Sequence, residues 1–284
     1  KDLISKLSIG QRKFTISGYY SNSQGKGLAA APDHINKYEN ADEIINDSDI
    51  LYISNHPEAL EISKKAIKLS TNLFIESPFL FEEKEFDQLF ELADETNVLI
   101  KFNQKILQNQ AFKKHQTKAF PEMLKVRIDR FNHEPNEGSL NKHLFQFITI
   151  LRNHTRSGIR KINLYKGKQT DNFFSLNVHL DNDTNCEFLY NSITDQDQFF
   201  VELFYPEKLT RINLTENRVT IIDKQSAKHK DFSAQQGKTN LTQLEMNQFV
   251  VDLPKLQSMP VTIREENQYL LYLTHRLSEK LLQS

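Results

Sequence analysis

Cysteine is almost absent: Cys186 is the only one in 284 residues, so no internal disulfide can form and an oxidising compartment is unnecessary. Excess charge of either sign is missing too. Lys+Arg 36 against Asp+Glu 37 leaves a net charge of −1, which supplies no global field for gathering nucleic acid or an anionic membrane surface. No apolar run approaches the roughly 20 residues of a membrane span, and no charged-then-apolar signal opens the chain. Tryptophan is absent, leaving 20 phenylalanines to carry the aromatic packing. A zinc set is lacking as well, because His179, the histidine nearest Cys186, has no accompanying ligands. What remains is a globular chain with the cytoplasm as default compartment, small molecules as partners and no metal. A hydrophobic share of 38% with 26% charged residues is ordinary for such a chain, and its length suits two domains.

The first part of the chain alternates two periodicities. Residues 14–20 (FTISGYY) form a β-branched and aromatic run that enters a loop at Ser21-Asn22. Residues 50–54 (ILYIS), 73–75 (LFI) and 98–102 (VLIKF) are short, nearly unbroken apolar runs, as expected for strands covered on both faces. Between them lie helical stretches at 57–69 and 81–95, the second with Phe86, Leu89, Phe90 and Ala93 along one stripe. The connections are too long for hairpins, so the pattern predicts a parallel sheet flanked by helices. Ligands of such sheets collect beyond the carboxyl ends of the strands, which places the loops beginning at Ser21, Asn55 and Glu76 on one rim.

After about residue 120 the pattern changes to a run of strands with turn-sized gaps, at 124–131, 159–165, 173–180, 187–190, 199–204, 209–214 and 218–222. One helix, 139–153, lies among them, and a last helix carries Leu270, Leu273, Leu277 and Leu281 along one side. This half reads as an α+β domain with a large, mostly antiparallel open sheet. With few helices to cover it, one face is expected to self-associate as a homodimer or homotetramer, through apolar positions such as Phe174, Leu176, Val178, Phe200 and Leu203. The expected division is 1–119 for the parallel-sheet domain, 120–262 for the sheet domain, and 263–284 for a closing helix that packs back on the first.

An ordered set of short motifs adds a family likeness. Ser48-Asp49 leads into Ile50-Leu51-Tyr52-Ile53-Ser54-Asn55-His56-Pro57; then come Ala66-Ile67, Leu73-Phe74-Ile75-Glu76-Ser77-Pro78, Leu89 to Ala93 and Phe102-Asn103. Further on stand Leu244-Glu245-Met246-Asn247-Gln248-Phe249 and Pro260-Val261-Thr262. In order and spacing this resembles the Gfo/Idh/MocA oxidoreductase family, whose first domain shows an aspartate before a strand ending "IATP", an "AL" helix, a strand ending "EKP" and a helix ending "LAE". The resemblance implies a Rossmann-type domain followed by an α/β domain with an open sheet, and NAD or NADP as cofactor. It also implies a further strand and glycine-rich turn upstream of Lys1, because Gly25-Lys26-Gly27 follows the second strand rather than the first.

Carried over residue by residue, the resemblance puts Ser77 where the family has its catalytic lysine; a neutral hydroxyl lacks both charge and reach. Glu76 and Pro78 keep the family's pattern, although the pair also suits a simple capped turn. The family's "GG-x-L-x-D-x-G-x-H-x-x-D" pattern becomes Ser139, Asn141, His143 and Gln146, so that only the histidine remains. His143 suits proton transfer, and also suits a helix-start histidine with a backbone bond. Lys105 could replace the missing cation or simply be solvated. Ser21 stands where an acid usually takes the adenosine ribose, which leaves NAD and NADP both open; Asn22, Asn55, His56 and Asn103 would border the cofactor. Two functions follow: an oxidoreductase acting on a sugar, cyclitol or similar small hydroxyl or carbonyl compound, and a non-catalytic relative that binds a ligand or assembles.

Overall fold

The computed structural model describes residues 14–21, 35–54, 56–114, 119–131, 137–167, 172–226, 229–233, 240–258 and 260–283. The chain divides into two compact units, one of residues 1–105 with 238–272 and one of residues 106–237 with 273–284. Residues 238–262, grouped by the sequence reading with the sheet domain, therefore count with the first unit.

In the first unit the apolar runs become strands β3 (Ile50–Ile53), β4 (Asn72–Ile75) and β5 (Ile100–Phe102), parallel and adjacent in that order. Their connections are helices α2 (Ala59–Lys68) and α3 (Glu83–Thr96). Helix α3 starts on a reciprocal capping box of Glu82 with Glu85 and stops at Asn97, whose φ of 55° is a left-handed C-cap that asparagine tolerates. Every residue of β4 is buried, so each of its large apolar side chains contributes about 1.5–3 kcal/mol by leaving water. One sheet face meets α3, where Phe86 sits edge-on to Phe102 at 5.1 Å. The opposite face carries Tyr52 and Phe74, stacked at 5.6 Å, and is closed by Met246 and Phe249 of helix α6 (Leu241–Gln257). A shielded ion pair, Lys101 to Glu245 at 3.5 Å, ties α6 to β5. Two small elements of this unit escape the sequence reading: β2 (Asn36–Lys37), which pairs in parallel with β1 (Gly18–Tyr19) of the expected 14–20 run, and α1 (Ala41–Asn46), which is capped by Asn40.

The second unit is built on an eight-stranded sheet in the order β13-β12-β11-β10-β6-β9-β8-β7. Its strands are β6 (Met123–Asp129), β7 (Ile159–Lys166), β8 (Phe173–Leu180), β9 (Asn185–Asn191), β10 (Gln198–Phe204), β11 (Lys208–Asn213), β12 (Arg218–Asp223) and β13 (His229–Ser233). All neighbours are antiparallel except β6 with β9. A short helix α4 (Gln110–Lys114) precedes the sheet, and the long helix α5 (Glu137–Thr155) lies on one face, its Phe147 stacked on Phe188 at 4.9 Å.

This corrects one expectation. Phe174, Leu176, Val178 and Leu203 are buried within the unit itself, on the α5 side of the sheet, and need no second copy to cover them. Strand alternation sends only Phe200 to the other face, in register with Arg127. On that face Glu187, Lys125, Glu202 and Arg211 form one charged row across β9, β6, β10 and β11. The leucines of helix α7 (Pro260–Gln283), Leu270, Leu273, Leu277 and Leu281, are all buried. Among the described residues no helix is long and apolar enough to cross a membrane, and no cluster of His, Cys, Asp and Glu could hold a metal ion.

His154, near the end of α5, is 6% exposed and edge-on to Phe112 at 5.0 Å. Burial pushes its pKa down from 6.5 to about 4. The unfolded imidazole thus takes its proton at a higher pH than the folded one, so stability falls as pH drops from 6.5 toward 4. The shift corresponds to about 3 kcal/mol at the bottom of that window. Denaturant melts across the window should show this decline, and His154→Leu should flatten it. An unchanged slope in the variant would place the acid sensitivity elsewhere.

Candidate functional site

The parallel ladder of the first unit continues past its strand ends: Glu76 N–H donates to Ile53 O and Asn103 N–H to Ile75 O, each at 2.9 Å. Residues following three neighbouring strands, His56, Glu76 and Asn103, consequently share one carboxyl-end rim. In the ring of His56, Nδ1 accepts the Glu58 backbone N–H at 3.1 Å, which makes Nε2 the protonated nitrogen; it is shielded from solvent and has no partner among the described residues. In Asn103, Oδ1 accepts the Lys105 N–H at 3.1 Å, so the buried, unpartnered atom is the amide Nδ2. The hydroxyl of Tyr52 is shielded too: burial first, then the Glu76 carboxylate through its charge and as a hydrogen-bond acceptor, hold it protonated far above the usual range. Two donors without acceptors among the described residues, His56 Nε2 and Asn103 Nδ2, therefore stand at one rim. Each costs about 1–3 kcal/mol in the absence of a partner, and together they suit a ligand rich in acceptor oxygens.

Charge at this rim comes from Lys105, whose Nζ lies 3.9 Å from Glu76 Oε1. Ser77 follows Glu76 and starts the short turn Pro78–Leu80 without a side-chain capping bond, while Pro78 is buried at the first position of that turn. A cation is thus present one residue from position 77, but on a side chain from the next strand end. Ser21 lies two residues past β1; Asn22 and Asn55 fall outside the described residues.

His143 belongs to the second unit, in the second turn of α5, and is 2% exposed. Its Nδ1 lies 3.3 Å from Gln146 Oε1, and its ring centroid is 5.6 Å from that of Tyr190. A carboxamide at Gln146 lends the ring no charge. Ser139 stands one turn earlier on the same helix. Sequence reasoning passed over Tyr52 and Tyr190, because both sit in apolar strand runs and read as core. The available signal was a phenol near the carboxyl end of a strand, where an apolar ring would pack equally well.

By sequence, no family model and no curated protein matches the chain. Solved structures do. A dehydrogenase (MviM) from Clostridium difficile is 14% identical, with a TM-score of 0.73 over 88% of this chain and 83% of that one. A Gfo/Idh/MocA family oxidoreductase from Vibrio cholerae is 11% identical, with a TM-score of 0.72 over 87% of this chain and 83% of that one. The UDP-N-acetylglucosamine 3-dehydrogenase GnnA from Acidithiobacillus ferrooxidans is 14% identical, with a TM-score of 0.69 over 86% and 82%. The chain has the Gfo/Idh/MocA fold. Both halves of the sequence-based expectation, a Rossmann-like parallel sheet and a large, mostly antiparallel open sheet, hold for this fold.

Within the Gfo/Idh/MocA fold of this chain, the Lys105 and Glu76 pair is partly exposed and worth about 0–1 kcal/mol to folding. Glu76→Gln and Lys105→Met should each leave chemical stability within about 1 kcal/mol of the wild type. A larger loss in denaturant melts would show that the pair holds the rim together rather than serving a ligand.

Proposed function

We propose that this chain is an NAD(P)-dependent oxidoreductase of slow turnover, acting on a sugar, a cyclitol or a similar small hydroxyl or carbonyl compound. The observation that carries the reading is the rim of unpartnered donors at His56 and Asn103, with Lys105 on Glu76 beside it. A dinucleotide is rich in acceptor oxygens and fits such a rim, which lies where parallel sheets generally take nucleotides. When bound, its nicotinamide supplies or accepts the hydride. Asn103 and His56 orient it through their free N–H groups, and Lys105, held by Glu76, polarises the reacting oxygen in place of the lysine that Ser77 cannot replace. His143 is the proton-transfer group. Ser21 brings no carboxylate against a 2′-phosphate, so NADP suits the site as well as NAD. The sugar class is supported by one similar structure, whose name assigns it UDP-N-acetylglucosamine.

Slow turnover follows from the neutral side chains at Ser77, Ser139 and Gln146. The same residues favour a second reading, a non-catalytic ligand-binding relative. Catalytic groups that act as a unit are strongly non-additive, so Ser77→Lys alone should restore little. Self-association through the open sheet face is part of the proposal: its row of alternating charges, with Lys125 to Glu187 at 2.9 Å and Arg211 to Glu202 at 2.6 Å, can be matched by a second copy. Sedimentation at micromolar concentration should show a dimer or larger species that Glu202→Lys weakens; a clean wild-type monomer would refute it.

Fluorescence titration of NADH and NADPH on the full-length protein tests the central reading. Saturable binding of at least one is expected, weakened about tenfold by Asn103→Leu. Turnover on a polyol and sugar panel should be slow, and should recover in Ser77→Lys with Ser139→Asp more than in Ser77→Lys alone. Failure to bind either dinucleotide would overturn the proposal, and brisk wild-type turnover would move the chemistry away from positions 77 and 139.

A further inference from the structure

Helix α5 runs along β9 as a ladder of paired rings. Phe147 stacks on Phe188 at 4.9 Å, and His143 lies over Tyr190 with ring centroids 5.6 Å apart. The repeat is geometric: four helical residues rise about 6 Å and two strand residues advance about 6.6 Å, so the two elements stay in step. Phe174 extends the packing, its ring 5.7 Å from Phe188 and stacked on Tyr190 at 5.0 Å. The ladder is thus apolar along its length and polar only at the His143 and Tyr190 end.

Tyr190 is 1% exposed, and its hydroxyl has no hydrogen-bond partner among the described residues. The neighbouring ion pair of Arg130 and Asp197, at 3.0 Å, acts on the phenol electrostatically without meeting it as a hydrogen-bond partner. Burial raises the phenol's pKa, so it stays protonated and can only be useful as a donor or an uncharged acceptor. A phenylalanine would pack here as Phe174 and Phe188 do, without the cost of an unsatisfied hydroxyl.

We infer that Tyr190 is a substrate-recognition residue, its hydroxyl donating to an oxygen of a polyhydroxyl substrate at the His143 end of the ladder. The inference rests on the proposed reading of His143 as a substrate-side group. It adds a specificity element that neither helix motif nor strand pattern identifies: a site built to hydrogen-bond a hydroxyl rejects analogues that lack it.

The test compares wild type with Tyr190→Phe, a change of one oxygen, using myo-inositol, D-glucose and UDP-N-acetylglucosamine as probes without dinucleotide. The unliganded variant should melt at or above the wild-type temperature. At least one probe should stabilise the wild type, with affinity about tenfold weaker in the variant, as expected for one lost hydrogen bond. Equal stabilisation of both proteins, no stabilisation by any probe, or a marked loss of stability in the unliganded variant would each overturn the inference. Dinucleotide titrations on the same samples separate it from the broader reading. Dinucleotide binding with probe affinity unchanged in Tyr190→Phe defeats this inference alone; Tyr190-dependent probe binding with no dinucleotide binding defeats the oxidoreductase reading alone.

Discussion

Two backbone hydrogen bonds, from Glu76 N–H to Ile53 O and from Asn103 N–H to Ile75 O, hold the ends of β3, β4 and β5 level. Parallel pairing with strict register leaves the next residues of all three strands on one rim, and that alignment decides which side chains can act together. Apolar packing secures it from both faces, with Phe86 against Phe102 on one side and Phe249 against Phe74 on the other. The Lys101 and Glu245 pair fastens the covering helix across the same face. Remove the level ends and the donors of His56 and Asn103 no longer belong to one site.

Much of the scaffold was legible because burial on two faces writes itself as unbroken apolar runs. The runs at Ile50, Leu73 and Leu99 and the stripe of Phe86, Leu89, Phe90 and Ala93 became elements close to where the pattern puts them. Shorter pieces were not legible. The two-residue strand β2 has no length over which a period can show, and β13 is exposed at every position, so its polar sequence carries no alternation. The direction of the sheet faces was misjudged at Phe174, Leu176, Val178 and Leu203 because a strand pattern shows two faces without showing which one a helix covers.

The candidate site was legible by position and not by chemistry. The apolar runs and the family-like motifs put Glu76, Ser77, Asn103 and Lys105 near strand ends, yet only the structure shows that Lys105 faces Glu76 and that the Asn103 amide is left without an acceptor among the described residues. Unsatisfied donors are a feature of partners that a sequence does not encode locally. The same holds for Tyr190, whose ring obeys the apolar pattern while its hydroxyl breaks it. Such breaches of an otherwise consistent core are where function is expected to reside.

The central claim is that the unpartnered donors at the strand ends exist to receive a dinucleotide. The side-chain amide resonance of Asn103, followed by NMR in nitrogen-labelled full-length protein and assigned by its loss in Asn103→Leu, reads this directly. On addition of NADH or NADPH the account predicts a saturable shift of that resonance as Nδ2 gains an acceptor. A resonance that stays in place at saturating concentrations of both dinucleotides would contradict it.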